Sequence, residues 1–174
     1  MILENEKIKQ ALEYIKEEDP ATTQDTLNMC QIPAPSYKEE KKAEYIRERF
    51  REIGLRDVRI DAVGNVLGIW PGTGEGPSVM LAAHTDTVFP EGTDLSIRKE
   101  GNRYYCPGIN DDTHAVAEMI AVAKAMIHAD LHTKGDLIFC ANVCEEGLGD
   151  LRGIKHVFKD MADTEGRYDG FVSI

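Results

Sequence analysis

The sequence predicts an α/β domain, in which helices cover a largely buried sheet. Two short apolar runs, SVMLAA (78–83) and DLIFCANV (136–143), support this prediction. Runs of this length without regular polar alternation are typical of strands that are buried on both faces. Between them, residues 113–129 repeat apolar side chains at helical spacing. Buried strands that alternate with such helices are the pattern of an α/β fold.

The first third of the chain is predicted to be helical. Apolar residues at helical spacing predict a helix over residues 5–18, which an Asp-Pro pair ends. A second, short helix is predicted over residues 20–32. Ser36 then has Glu39 three positions later, which is the pattern of a capping box. This pair predicts the start of a long helix that ends at Gly54.

The rest of the chain is predicted to alternate between strands and helices. Clusters of turn-forming residues separate the apolar stretches, and no linker divides the chain into two domains. In chain order, the sequence predicts strands at 58–60, 65–70 and 78–83, a hairpin of 95–98 with 103–106, a helix at 113–129, a strand at 136–143, a helix at 149–158 and a strand at 170–174.

The charge balance argues against one class of partner. The chain has 31 acidic against 20 basic residues, a net charge of -11. Nucleic-acid-binding proteins need a basic surface that neutralises phosphates, so we expect no nucleic-acid partner. Carboxylates are, by contrast, good ligands for metal cations.

The sequence gives no indication of secretion or of a membrane. Its first residues, MILENEKIKQ, lack the apolar run of a signal peptide. No stretch approaches the roughly 18 apolar residues of a membrane helix. The cysteines, at irregular spacing, are Cys30, Cys106, Cys140 and Cys144. We expect them to be free thiols of a cytoplasmic protein that has no membrane partner.

Three polar clusters follow predicted strands or open a predicted helix. They are His84-x-Asp86, Asp111-Asp112 and Glu145-Glu146. Ligands of open α/β sheets bind at the carboxyl ends of the strands, so we expect a binding site among these clusters.

Each cluster taken alone allows two interpretations. His84 and Asp86 point to the same side of an extended chain, where the carboxylate can orient a metal-binding ring or the histidine can bond only locally. Asp112 fits the N-cap of the following helix, although two adjacent acids can also bind cations. Glu145 and Glu146 form either a solvated turn or a metal ligand beside a general base.

The three clusters in this order resemble the M20 family of metallopeptidases, the group of peptidase T, carboxypeptidase G2 and acetylornithine deacetylase. The matching segments are AAHTDTVFP (82–90), PGINDDTHAVA (107–117), CEEGLGDLRG (144–153) and MCQIPAPSYKEE (29–40). The resemblance extends over residues 20–174. It implies a three-layer α/β/α catalytic domain with a mixed central sheet, as in zinc peptidases.

The resemblance implies a role for individual residues. His84, Asp111 and Glu146 match metal ligands, and Asp111 matches the ligand that bridges two zinc ions. Glu145 matches the general base. Asp86 matches the carboxylate that supports the site two residues after the histidine. In the family, the peptide bond after the bridging aspartate is often cis.

A cofactor, a reaction and a domain organisation are also implied. Two zinc ions, for which cobalt or manganese can substitute, would serve the hydrolysis of an amide bond in a small peptide or an N-acyl amino acid. The family has a further carboxylate ligand, a last histidine ligand and a lid or dimerisation domain beyond the matched region. We therefore expect residues 1–174 to be the N-terminal portion of one catalytic domain, with little or no activity alone. Its open last strand favours association with a second copy.

Other interpretations remain beside this one. The alternative function is a non-catalytic, metal-binding remnant of the same fold. A nucleotide-binding domain is disfavoured because PGTGEGP (71–77) precedes a strand, and a serine hydrolase because G-x-S-x-G is absent. His114 either faces the cleft or is a polar residue of a first helical turn. His128 and His132 are either a metal-binding pair or solvated. We favour the second reading of each.

Overall fold

The computed structural model describes residues 2–163 and 168–174. Its α-helices are α1 (Glu6–Glu17), α2 (Asp19–Cys30), α3 (Glu40–Glu52), α4 (His114–His128) and α5 (Arg152–Asp163). Its strands are β1 (Arg56–Ile60), β2 (Val66–Trp70), β3 (Val79–His84), β4 (Arg98–Glu100), β5 (Arg103–Tyr105), β6 (Leu137–Asn142) and β7 (Gly170–Ser173). Each helix and strand predicted from the sequence has a counterpart at or next to its predicted position.

Five strands form one mixed sheet in the order β1-β2-β6-β3-β7. β3 pairs in parallel with both β6 and β7, whereas β2 is antiparallel to β1 and β6. β4 and β5 form a separate hairpin. Because β3 and β6 are parallel neighbours, their carboxyl ends meet at the same end of the sheet.

Helices cover both faces of this sheet. Val66 of β2 and Phe139 of β6 belong to one buried cluster, which packs against α3 and α4. The neighbouring residues Leu67 and Cys140 belong to a second cluster with Val157 of α5. Side chains of a strand alternate between its faces, so the two clusters lie on opposite sides of the sheet. This arrangement confirms the predicted three-layer α/β/α fold with a mixed central sheet.

Membrane insertion has no support among the helices. Within residues 2–163 and 168–174, no helix is both long and apolar enough to cross a bilayer. α3, α4 and α5 contribute buried side chains to the two clusters on the sheet, whereas α1 packs against α4.

The predicted capping box of Ser36 and Glu39 is wrong. α3 begins at Glu40, and its N-cap makes no side-chain hydrogen bond. Ser36 Oγ donates instead to the carboxylate of Asp86, at 2.6 Å. The Glu39 carboxylate accepts a hydrogen bond from the backbone N–H of Cys144, at 2.9 Å. Both side chains thus serve the loops at the carboxyl end of the sheet.

Asn65 joins the β1–β2 hairpin to two other elements. Its side chain is fully buried. Nδ2 donates to the carboxylate of Asp61 at 2.7 Å and to the carbonyl of Gly153 at 3.0 Å. Oδ1 accepts from the N–H of Val143 at 3.0 Å. One amide group therefore links the hairpin, the segment after β6 and α5.

Replacing Asn65 with alanine is expected to lower the free energy of unfolding by about 2–4 kcal/mol, because two buried backbone groups lose their partner. Urea unfolding followed by circular dichroism measures this change. Asn102→Ala, in the exposed turn between β4 and β5, is the matched control and is expected to change stability by less than about 0.5 kcal/mol. Equal effects of the two substitutions would contradict the structural role of Asn65.

Candidate metal centre

The ends of β3 and β6 bring two of the polar clusters together. His84, the last residue of β3, pairs in register with Asn142, the last residue of β6. The pairing continues by one residue, since Thr85 N donates to Asn142 O at 2.8 Å. Asp86 and Glu145 follow directly after this point. Both clusters therefore leave the sheet side by side, where parallel sheets place their ligands.

The imidazole of His84 lies at the centre of the polar clusters. Its Nε2 is 3.0 Å from Asp111 Oδ1 and 4.0 Å from Glu145 Oε2. Its Nδ1 is 3.0 Å from the backbone oxygen of Asp86 and 3.5 Å from the carboxylate of the same residue. One ring nitrogen thus faces the open side of the site, and the other is held by Asp86.

The carboxylate of Asp86 holds the loop that carries the two glutamates. It is fully buried. Oδ1 accepts from the N–H of Glu145 at 2.9 Å, and Oδ2 accepts from the N–H of Glu146 at 3.1 Å. Burial alone would raise the pKa of Asp86, but hydrogen bonds, chiefly from His84 and then from Ser36 and this loop, outweigh burial and hold the pKa below its usual range. A lowered pKa keeps Asp86 an anion at neutral pH.

Asp111 and Asp112 have different positions in the structure. The peptide bond between them is cis, as the resemblance implied. The Asp111 side chain is 73% exposed and points its Oδ1 at His84. Asp112 is buried, and its Oδ2 accepts from the backbone N–H of His84 at 3.0 Å. Asp112 is thus not an N-cap: Thr113 has that place, and its side chain makes no capping hydrogen bond with α4.

Electrostatics mark the centre as a site for positive charge. Burial by itself lowers the pKa of His84, but hydrogen bonding to Asp86 and the charges of nearby carboxylates outweigh burial and raise the pKa to about 9. The carboxylates that contribute most are those of Asp86, Asp112 and Glu145. A pKa of about 9 favours a protonated His84 at neutral pH, and a metal cation that bound this nitrogen would displace the proton.

Two carboxyl groups of the site have raised pKa values. Burial and the nearby charges of Asp111 and Glu145 raise the pKa of Asp112 to about 6. Burial, and after it the charge of Asp111, also raises the pKa of Glu146. Several anions at one point repel each other, and a bound cation would relieve this repulsion.

The donor atoms of the site fit a divalent metal. His84, Glu145 and Glu146 each offer a ligand atom, and these atoms lie within 4.8 Å of one another. Asp111 adds a third oxygen, and so a fourth possible ligand atom, beside His84 Nε2. One imidazole nitrogen with carboxylate oxygens is a donor set that suits zinc. Distance alone does not separate Glu145 from the other possible ligands.

His114 lies outside this cluster. Its Nδ1 is 3.2 Å from Thr26 Oγ1 of α2, and its Nε2 is 3.2 Å from Glu118 Oε1, one turn along α4. The interpretation of His114 as a polar residue of the first helical turn is therefore the one that the structure supports.

His128 and His132 do not form a metal-binding pair. His128 stacks on Tyr14, with ring centroids 4.2 Å apart. His132 stacks on Trp70, and its Nδ1 lies 2.7 Å from the backbone oxygen of Pro71. Each ring is used for packing against a different element, so the prediction that both are solvated is only partly right: His128 is exposed, and His132 is half-buried.

Three residues around the site were not predicted. Ser36 and Glu39 were assigned to a helix cap instead. Lys42 is 2% exposed, and its Nζ donates to Thr113 Oγ1 at 3.4 Å, directly after the aspartate pair. The sequence did contain a pattern that could have identified Lys42. It lies four residues before Ile46, on the apolar stripe of α3, and a charged residue on such a stripe indicates a buried polar partner.

Comparisons with known proteins identify relatives of this chain. Residues 80–174 match the family model of peptidase family M20/M25/M40. The chain is 35% identical over 120 residues to a Pyrococcus abyssi protein described as a LysW-lysine/LysW-ornithine hydrolase, with 69% of this chain and 32% of that protein covered. It is 29% identical over 153 residues to the succinyl-diaminopimelate desuccinylase of Corynebacterium glutamicum, with 88% and 40% covered.

Solved structures share the fold at low sequence identity. The di-peptidase Dug1p of Saccharomyces cerevisiae matches 95% of this chain with a TM-score of 0.76 and 18% identity, over 40% of its own length. Human carnosine dipeptidase 1 matches 95% of this chain with a TM-score of 0.78 and 14% identity, again over 40% of its length. The chain thus spans 32% to 40% of the length of these relatives. Since the family model covers more than half of its residues, the chain belongs to peptidase family M20/M25/M40.

Proposed function

We propose that this chain provides the first part of the active site of a metal-dependent amide hydrolase. One observation carries the proposal: His84 stands at the carboxyl end of the sheet with three carboxylates directed at it. The nearest of these oxygens, Asp111 Oδ1, is 3.0 Å from His84 Nε2. Such a cluster of one imidazole and several acids is the donor set of a hydrolytic zinc site.

The metal ligands in this proposal are His84, Asp111 and Glu146. Zinc is the metal we propose, with cobalt or manganese as substitutes, and two ions for the full site. A bound divalent cation supplies Lewis acidity: it polarises an amide carbonyl and makes a water molecule a good nucleophile at neutral pH. The remaining ligands would come from residues outside positions 1–174, together with a lid or dimerisation domain and the last segment of the catalytic domain.

Glu145 is the general base in this proposal. Its side chain is 37% exposed, and its Oε2 lies 4.0 Å from His84 Nε2. A carboxylate at this place can take a proton from the attacking water and pass it to the leaving amine. Asp86 supports the reaction by fixing the backbone of Glu145 and holding His84 Nδ1.

The substrate class is a small peptide or an N-acyl amino acid. The names of the relatives support it: they are hydrolases or dipeptidases, and one is a desuccinylase. With ligands still to be supplied from other residues, we expect residues 1–174 alone to hydrolyse such amides very slowly or not at all. The alternative is a non-catalytic, metal-binding remnant of the fold. A whole protein that binds metal but hydrolyses no amide would favour this alternative.

The cellular setting and assembly are also proposals. We propose a cytoplasmic location, which the free state of Cys30, Cys106, Cys140 and Cys144 supports. We also propose that two copies associate through β7. This strand lies at the edge of the sheet, and its Phe171 and Val172 are exposed. An apolar edge strand is a template for pairing with another chain.

Calorimetric titration with zinc tests the proposed site. The chain is expected to bind zinc with about micromolar affinity or better, and Asp111→Ala is expected to weaken binding by at least about tenfold, because a ligand is lost. Asp94→Ala removes an exposed carboxylate outside the cluster and is expected to bind as the parent does. Equal zinc binding by the parent and Asp111→Ala would contradict the proposal, whereas a parent that binds no zinc would show that the ligands outside residues 1–174 are needed to hold the metal.

A further inference from the structure

We propose that Glu39 is a positioning residue, which holds the loop of Cys144, Glu145 and Glu146 in the conformation that presents the two glutamates to His84. Glu39 lies just before α3, far from this loop in sequence. Its role goes beyond the proposed metal ligands and base, and its effect on metal binding rests on the proposed function.

The loop has no regular secondary structure to fix it. β6 ends at Asn142, and Cys144 adopts a left-handed conformation with φ of 52°. Residues other than glycine adopt this region only when their surroundings hold them there. The side chains of Glu145 and Glu146 follow directly, so a change at Cys144 would redirect both of them.

Two buried carboxylates bind three successive N–H groups of this loop. The N–H of Cys144 donates to Glu39 Oε1 at 2.9 Å. The N–H groups of Glu145 and Glu146 donate to the two oxygens of Asp86, at 2.9 and 3.1 Å. Hydrogen bonds to charged acceptors are stronger than those to neutral ones. Glu39 is therefore the partner of Asp86 in fixing the loop, at the residue where the left-handed turn occurs.

The Glu39 carboxylate is buried together with Cys144, the residue whose N–H donates to it. Glu39 is 4% exposed, and Cys144 is fully buried. The same oxygen, Oε1, also accepts from the thiol of Cys144 at 3.3 Å. A buried carboxylate costs free energy unless donors surround it. A role in capping α3 does not explain it, because the N-cap makes no side-chain hydrogen bond there.

Ser36 extends the same contact from the other end of the turn before α3. Its Oγ donates to Asp86 Oδ2 at 2.6 Å and to the backbone oxygen of Glu146 at 3.4 Å. The segment from Ser36 to Glu39 thus contacts the glutamate loop at both of its ends. This placement connects the turn before α3 to the loop that carries Glu145 and Glu146.

Two measurements on the chain test the role of Glu39. Amide hydrogen exchange by NMR, without metal, reports how firmly the N–H of Cys144 is held. Zinc calorimetry reports whether the glutamates are in place. Glu39→Ala removes the acceptor, Glu39→Asp keeps the charge but shortens its reach, and Glu39→Gln keeps an oxygen in place. Glu40→Ala, at the exposed neighbouring acid, is the matched control.

The expected results differ among the variants. Glu39→Ala and Glu39→Asp are expected to speed exchange at Cys144 by about tenfold or more, as for the loss of a hydrogen bond to a charged group. We expect both to weaken zinc binding by about 10–100-fold, the usual effect of losing a residue that positions a ligand. Glu39→Gln is expected to keep the exchange rate at Cys144 and the zinc affinity near those of the parent. Glu40→Ala is expected to match the parent in both. Exchange in β2 and β6 is expected to stay unchanged.

Other results would overturn the proposal. Unchanged exchange at Cys144 in Glu39→Asp would show that the carboxylate does not hold the loop. Faster exchange with parental zinc affinity would show that the contact is structural only. A parent chain that binds no zinc would show that residues 1–174 do not hold a metal alone, and the exchange rates would then decide whether Glu39 holds the loop.

Discussion

Replacement of Asp86 with alanine is expected to lower the free energy of unfolding by about 3–5 kcal/mol, the range for removing one partner of a buried charged network. Asp86 is fully buried, and its carboxylate accepts from Ser36 Oγ and from the N–H groups of Glu145 and Glu146. Alanine would leave these partly buried donors without their charged partner. Urea unfolding followed by tryptophan fluorescence measures the loss.

The same carboxylate is expected to make stability depend on pH. The folded-state pKa of Asp86 is lowered, so its contribution is fully present above the unfolded pKa of about 4. This contribution is lost as the pH falls through the lower, folded value. The parent is therefore expected to lose stability below about pH 4 more steeply than Asp86→Asn, which has no charge there to lose.

A suitable control for Asp86 is Asp94. Its carboxylate is exposed and contacts only the neighbouring turn at Ser96. Asp94→Ala is expected to leave the urea midpoint close to that of the parent. If Asp86→Ala unfolded at the parental urea concentration, the carboxylate of Asp86 would not hold the site loop, and the network described above would be incidental.

Strands and helices were predictable because their signals are local. β3 and β6 are short apolar runs, and their alternation between two faces follows from the pleat itself. The same local reasoning failed at Glu39, which has the spacing of a capping box with Ser36. Its actual partner, Cys144, lies 105 residues further along the chain. A pattern within four residues holds no information about a partner at that distance.

The grouping of the polar clusters was easier to predict than their contacts. Polar residues directly after buried strands mark the carboxyl end of a parallel sheet, and His84, Asp86 and Glu145 were found in this way. Their mutual distances depend on the register that pairs His84 with Asn142, which no single segment specifies. For the same reason the sequence left open whether Asp112 caps a helix or binds a cation, whereas its carboxylate accepts a hydrogen bond from the backbone N–H of His84.

Adjacent glutamates are expected to differ sharply in metal binding. Glu146→Ala is expected to weaken zinc binding by about 100-fold. Loss of a residue that only supports a ligand already weakens binding by about 10–100-fold, so loss of a ligand itself is expected to reach at least the upper value. Glu145→Ala is expected to leave the affinity within about tenfold of the parent, below the usual effect of a lost positioning contact. Calorimetric titration of the two variants at equal pH gives both values.

The surroundings of the two side chains are the reason for this difference. Glu146 and Asp111 line one cavity of about 290 Å³ beside Phe89, and burial with the charge of Asp111 raises the pKa of Glu146. A cation between these two acids removes their repulsion and replaces lost water. The proposal assigns Glu145 to the attacking water instead, so its loss leaves the ligands in place.

A matched pair of conservative variants separates a ligand from a base. Glu145→Gln keeps the size of the side chain but cannot accept a proton, so zinc affinity is expected to persist while hydrolysis by the whole protein is expected to fall by about 100-fold or more. Glu146→Gln is expected to weaken zinc binding, because a neutral amide is a poorer ligand than a carboxylate. If Glu145→Ala lost as much affinity as Glu146→Ala, Glu145 would be a ligand, as its distance from His84 alone allows. The proton would then have to be taken by another group.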